Sequence, residues 1–200
     1  MLFFLRENIY EKKYSIFFFA VVILSGLFAA HDIILTPSVG YTYTNAFTVK
    51  NSITFLQGFD CFKAHNGYVE FAVGLVLDNG FTYIEDVGFA AGPAYIACPT
   101  DIKDTDKPMA YPSFFFISRS LIGYTFKPRQ NLYINLLTGF GLTSGYPQVI
   151  QAGIPVNVSF FYFFTKKSGL NITAVDMLGV GFPYFLTNAF TVKISPVFRL

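Results

Sequence analysis

Few side chains in this sequence of 200 residues could carry chemistry, and they are widely spread. His31 and His65 are its only histidines, and Cys61 and Cys98 its only cysteines. Two isolated imidazoles give a His-based metal cluster or a Ser/His/Asp triad little to build from. No glycine-rich phosphate loop of the form GxxxxGK[ST] occurs. A formal net charge of +2 gives no electrostatic reason to invoke nucleic acid. We therefore assign no catalytic, cofactor-binding or metal-ligating residue and expect no enzyme and no cofactor. The remaining candidates are charged side chains set in apolar surroundings: Glu70, Asp86, Arg119 and Lys193. Their meaning depends on the elements that hold them.

Those elements are unusual in composition. Hydrophobic residues make up 53% of the chain, aromatics 20% and charged residues only 13%, where a soluble domain carries about 25% charged residues. The excess of apolar surface points to a membrane, and helices crossing it would each need about 20 apolar residues in a row. Only Ile16 to Ala30 approaches this. The run follows Lys12 and Lys13 and ends in Ala29-Ala30, the order of a secretory signal peptide. We read residues 1–30 as that signal and residues 31–200 as one mature domain. An uncleaved anchor helix is the other reading, and Phe28, three residues before the proposed cut, leaves its position open. Export would place Cys61 and Cys98 in an oxidising compartment, where a single disulfide can form; two free thiols are the alternative, because spacing does not fix geometry.

After Ala30 the chain alternates. In DIILTPSVGYTYT the residues Ile33, Leu35, Pro37, Val39, Tyr41 and Tyr43 are apolar or aromatic, and those between are small or polar. Period-two alternation marks a strand with two different faces. Similar runs begin at Tyr68, Phe81, Phe114, Leu132, Ile154, Leu170 and Phe190, so eight strands are expected. Short polar connections, DNG, KPRQN and TKKSG, follow the second, fourth and sixth. Longer segments, 45–67, 90–113, 143–153 and 181–189, follow the others. Short turns at one end and long loops at the other describe an all-β, eight-stranded antiparallel up-and-down transmembrane barrel of the outer-membrane type, with both termini at the periplasmic end.

Parity then assigns faces. Val69, Phe71, Val73, Leu75, Leu132, Ile134, Leu136, Phe140, Val156, Val158, Phe160 and Tyr162 should face lipid. Glu70, Asp86, Tyr133, Asn135, Asn157, Ser159 and Lys193 should face the lumen. Arg119 is expected to join them, although its strand is apolar at both parities. Opposite charges in a narrow lumen should pair, since an unpaired buried charge is costly. A charge-lined pathway is the functional alternative to that salt-bridged plug. Glu85 and Asp176 fall on the lipid face unless a β-bulge precedes them. The sequons NITA and NVSF lie inside strands, where a glycan could not sit. The heptapeptide TNAFTVK occurs at Thr44 to Lys50 and again at Thr187 to Lys193. Both copies should meet at the outer rim where the first and last strands close the barrel, either as a coincidence of sequence or as a matched rim structure in which Phe47 and Phe190 join an aromatic girdle.

TPSVGYTYT, LIGYTFKP, AGIPVNVSFFYFFT and above all FLTNAFTVKISPVFRL resemble a family of small exported spirochaete proteins, borrelial or treponemal, described only as a domain of unknown function. The resemblance covers most of Asp32 to Leu200 and implies an outer-membrane β-barrel at the cell surface, with no defined activity. One departure is the end Phe198-Arg199-Leu200, where outer-membrane barrels usually finish on an aromatic residue. The function expected is a non-enzymatic surface role, in adhesion, host contact or envelope integrity. A narrow channel or lateral transporter for small solutes is the alternative. Its partners would be outer-membrane lipids, the barrel assembly machinery and host surface molecules.

Overall fold

A strand whose successive side chains are apolar and small-polar can bury only one face against its own sheet, and eight of them solve the problem by closing on themselves. The structure, a computed structural model, describes residues 32–47, 61–97, 109–146, 149–182 and 186–200. Its strands are β1 (Asp32–Phe47), β2 (Cys61–Val76), β3 (Phe81–Ala97), β4 (Met109–Arg129), β5 (Leu132–Tyr146), β6 (Val149–Phe163), β7 (Ser168–Phe182) and β8 (Leu186–Arg199). Each pairs antiparallel with its chain neighbours, and β1 pairs with β8, so the sheet is a closed barrel in sequence order. Closure leaves no free edge, the condition for a sheet to sit in hydrocarbon.

At the short-turn end the strands start and stop close to where alternation sets in. The tightest turn lies between β2 and β3. There Gly80 adopts φ 86°, its N–H donates to the Leu77 carbonyl at 2.9 Å, and the Asn79 side chain accepts from the Phe81 N–H at 2.9 Å. At the opposite end the expected long loops are mostly strand. β2 begins at Cys61, β3 continues to Ala97, β5 runs to Tyr146 and β6 resumes at Val149. Segments such as Cys61 to Gly67 and Ala90 to Ala97 mix small and polar residues with a few large apolar ones at no regular spacing, so the ladder continues after the hydrophobic period has faded. A strand of 15 residues tilted by about 45° rises roughly 35 Å, against an apolar band of about 25 Å. The wall therefore projects about 10 Å past the lipid.

The two faces are sharply different. β5 and β8 show buried and exposed residues in strict turn. The exposed side chains include Val69, Phe71, Leu136, Phe140, Val156, Phe160, Tyr162, Ile172 and Ile194, an apolar jacket of the kind that outer-membrane barrels turn to lipid. Leu75, expected among them, is buried at 8%. Aromatics concentrate toward both ends of the jacket: Phe81, Tyr124, Phe126, Tyr162 and Phe198 near the turns, and Phe89, Phe114, Phe116 and Tyr146 toward the loops. This is the girdle arrangement that favours amphipathic rings at the two interfaces.

The repeated heptapeptide has a physical place. Thr44 lies opposite Ala189, Asn45 opposite Asn188 and Ala46 opposite Thr187. The two copies of TNA thus pair with each other, antiparallel, across the closing seam. Thr44, Ala46, Thr187 and Ala189 point inward and are buried, while Phe190 stands outside.

Leu136 lies on the outer face in the middle of the jacket, and Ile150 lies near the loop end. Leu136→Arg should destabilise the folded barrel in vesicles by roughly 2 to 4 kcal/mol and Ile150→Arg by about 0 to 1 kcal/mol, because the penalty for a charge falls toward the interface. Urea unfolding followed by tyrosine fluorescence or heat-modifiable gel mobility measures both; equal losses would contradict this seat in the bilayer.

Candidate functional site

The lumen holds the chemistry. Inward positions on β2, β3, β4 and β8 bring Glu70, Asp86, Arg119 and Lys193 together, with relative exposures of 6%, 1%, 2% and 5%. Asp86 and Arg119 are direct cross-strand partners. The Arg119 Nε donates to both Asp86 oxygens, at 2.8 and 3.0 Å. Its Nη2 reaches Glu70 Oε2 at 2.5 Å and the Tyr68 hydroxyl at 2.7 Å. Tyr68 in turn donates to Glu70 Oε2 at 2.5 Å. Lys193 Nζ donates to Glu70 Oε1 and stands 3.9 Å from Asp86 Oδ2. Two cations and two carboxylates are thus neutralised within one layer.

Reaching this layer requires room beside the backbone. Lys193 on β8 must cross β1 to meet Glu70 on β2, and it does so over Gly40, where an added Cβ would lie 2.8 Å from the Lys193 Cβ. Tyr68 lies across Gly88, where an added Cβ would come within 2.5 Å of its hydroxyl oxygen. Tyr68, two residues before Glu70 and so on the same face, was not singled out among the candidate residues, though its parity was legible.

Apolar layers flank the charges. Toward the loop end lie Ala46, Ala64, Ala90, Ala94, Phe115 and Ile117, in one cluster with Tyr68. Toward the turn end lie Ile34, Val76, Tyr133, Phe161, Phe163 and Val197. Between strands β4 to β8 runs a polar ladder in which Thr125 donates to Asn135, Ser159 to Asn157, and Thr173 to Ser159 and Asn171. A second ionic group closes the turn end. Lys127 Nζ lies 3.2 Å from Asp32 Oδ2, Arg199 Nε lies 3.6 Å from Asp32 Oδ1, and the Tyr133 hydroxyl donates to Asp32 and accepts from Arg199. The sequence hid this group because Asp32 adjoins the expected cleavage site and Lys127 falls in what reads as a turn, whereas β4 continues to Arg129.

The outlying candidates separate. Glu85 and Asp176 stay on the outer face, since β3 and β7 keep one register along their length and no bulge turns either inward. Each is partnered where it stands: Glu85 accepts from Tyr83 and from Ser120 at 2.7 Å, and Asp176 from Asn188 at 2.7 Å. His65 lies outside the barrel, bonded to Tyr41 and packed among the rings of Tyr41, Tyr43 and Tyr95. Cys61 opens β2 rather than lying in a loop, opposite Ala97. Cys98, His31 and residues 1–30, expected to be a signal peptide, fall outside the described residues. Among the described residues no three His, Cys, Asp or Glu side chains are grouped to hold a metal.

Removing one member of a buried charge cluster strands the rest, a loss of about 3 to 5 kcal/mol. Arg119→Met should therefore destabilise the barrel by about that amount, and combining it with Asp86→Leu should recover part of the loss. Denaturant titration of the two single variants and the double variant gives the coupling; strictly additive losses would mean that the pair is not coupled.

Known proteins share this architecture. The crystal structure of the outer membrane protein OprG from Pseudomonas aeruginosa superposes with a TM-score of 0.60 at 8% identity, over 86% of this chain and 97% of that one. Neisserial surface protein A superposes with a TM-score of 0.51 at 9% identity, over 84% and 97%. At such identities the likeness is one of fold, an eight-stranded barrel of the outer-membrane type. No curated protein matches the sequence. A family model described as a domain of unknown function (DUF2715) matches residues 28–200, and it is to this family that the chain belongs.

Proposed function

We propose that this is an outer-membrane protein whose barrel is a closed, non-conducting anchor and whose activity, non-enzymatic, resides at the loop end, in surface interaction, adhesion or envelope structure. The observation that carries the reading is the filled lumen. An eight-stranded barrel has an interior just wide enough for side chains, and here an ion-paired layer, with Arg119 and Asp86 at 2.8 Å, lies between two apolar clusters. A water column along the axis would have to break that layer, which argues against a narrow axial channel. The wall also continues past the lipid and carries the two longest inter-strand segments, 48–60 and 98–108, at one end. Recognition commonly resides on segments held by a rigid scaffold. In this reading residues 1–30 direct export, the barrel assembly machinery inserts residues 31–200, lipids cover the jacket, and host surface molecules are the partners at the exposed end.

Planar bilayers containing the purified protein should show no steady conductance above background; ohmic, charge-selective current from the intact protein would overturn the plugged reading. Orientation has its own test. An epitope inserted beside Lys103 should be accessible to antibody on intact cells and one beside Asn79 should not, and the reverse pattern would invert the barrel.

A further inference from the structure

The rim formed by the short turns is electrically lopsided. The turn between β2 and β3 contributes Asp78 and no cation, whereas the chain from β4 into β5 carries Lys127 and Arg129, and the turn between β6 and β7 carries Lys166 and Lys167. Backbone hydrogen bonds join the basic pieces into one arc. The Phe163 N–H donates to the Asn131 carbonyl at 2.8 Å, and the Arg199 N–H to the Lys167 carbonyl at 2.8 Å. The Arg199 Nε donates to the Lys166 carbonyl at 2.7 Å. Asp32 takes up the charges of Lys127 and Arg199. Among the described residues no ion pair engages Lys166 or Lys167, and both are exposed.

Next to these two lysines the outer face sets a small polar residue between two large rings. Ser168 on β7 pairs with Phe198 on β8, and its carbonyl accepts from the Phe164 N–H of β6 at 3.0 Å. The serine is therefore level with two phenyl rings on its flanking strands, and these are 68% and 45% exposed at Phe164 and Phe198. Its hydroxyl has a defined polarity. Thr165 Oγ1 accepts from the N–H of Lys167 at 3.1 Å and of Ser168 at 3.0 Å, which occupies both of its lone pairs. Its own proton then goes to Ser168 Oγ, 2.8 Å away. The Ser168 O–H is the donor that remains. One row further along the wall Tyr162, Leu170 and Pro196 continue into the apolar jacket, and Tyr162 packs edge to face on Phe164 at 5.5 Å.

We infer that the turn between β6 and β7, with Ser168, Phe164 and Phe198, binds the headgroup of an anionic phospholipid of the phosphatidylglycerol class, in the leaflet on the short-turn side. Two ammonium groups and a serine hydroxyl offer charge-assisted donors to the unesterified phosphate oxygens. The flanking rings stand where an aromatic belt meets the glycerol and the first carbons of the acyl chains. Charge sets the selectivity, because a zwitterionic headgroup brings its own cation against Lys166 and Lys167 and phosphatidylglycerol brings none. A soluble phosphate would gain nothing from the two exposed rings. An acidic protein could meet the lysines, yet it would leave those rings at the edge of the jacket in lipid. The inference rests on the barrel's seat in the membrane and is independent of any display role at the loop end.

The test uses the full chain folded in phosphatidylcholine vesicles that contain a minor fraction of phosphatidylglycerol carrying a diazirine at the top of one acyl chain. Irradiation and peptide mapping should place crosslinks in residues 162–170 and 194–200 at least fivefold more often than in 76–84, around the acidic turn. Lys166→Gln with Lys167→Gln should lower the first set at least fivefold, and Lys166→Arg with Lys167→Arg should retain it, with heat-modifiable mobility unchanged in both because these side chains are exposed. Unlabelled phosphatidylglycerol should suppress the crosslink. Even labelling of the two turns, or no response to the glutamine pair, would overturn the site, and equal suppression by added phosphatidylcholine would overturn its selectivity. Suppression by inorganic phosphate would reassign it to a soluble anion, and suppression by polyglutamate to an acidic protein; either result overturns the lipid. A phosphatidylcholine with its diazirine at the chain end must label the peptide containing Leu136 in every variant, and its failure would remove the membrane seat itself.

Discussion

Every peptide group in hydrocarbon must find its hydrogen-bond partner within the protein, and this single requirement organises the molecule. It forces the sheet to close, and closure brings together the first and last strands of the domain. The pairing of β1 with β8 is consequently the one long-range contact on which the other seven strand pairings depend for an edge-free wall. At the loop end it is secured by two copies of the same tripeptide. Thr-Asn-Ala read in opposite directions sets threonine against alanine on the inside and asparagine against asparagine on the outside.

Closure fixes the radius, and the radius fixes what the lumen can hold. Large side chains must be accommodated by small neighbours, as Tyr68 and Lys193 are by Gly88 and Gly40. Charges cannot be hydrated there, so they neutralise one another. Glu70 meets two cations, and Arg119 meets two carboxylates and a phenol. An ionic layer of this kind is weak evidence for stability, because desolvation offsets most of the attraction. Its stronger consequence is geometric: four strands are tied across the lumen at one level.

The outer face obeys a looser rule. Glu85 and Asp176 lie among apolar neighbours, yet each has a hydroxyl or amide donor within its own wall, from Ser120 and Asn188. Local hydrogen bonding on a strand surface can therefore substitute for the inward turn that a bulge would provide. At the closing seam itself the strand pairing lapses where Pro37 lies opposite Pro196, between Leu35–Phe198 and Val39–Ile194.

The sequence by itself determined the architecture and the faces. Period-two alternation is a backbone property, so it was legible that Glu70, Asp86 and Lys193 point inward and that Leu136 and Phe160 point to lipid, whereas Arg119, on a strand apolar at both parities, was placed by its pairing with Asp86. The tight turn at Asn79-Gly80 was legible for the same reason: glycine alone adopts its φ without strain. Strand length beyond the lipid was not, because where neither face meets hydrocarbon the residues of 61–67 and 90–97 carry no hydrophobic period. Parity also could not say which lumen charges meet, since Lys193 reaches Glu70 only by crossing an intervening strand, and the Asp32, Lys127 and Arg199 group forms only when both ends of the domain share one rim. Register between strands distant in sequence decided the rest. That Pro37 faces Pro196, and that TNA faces TNA, follows from a shear of the closed sheet that no local pattern encodes.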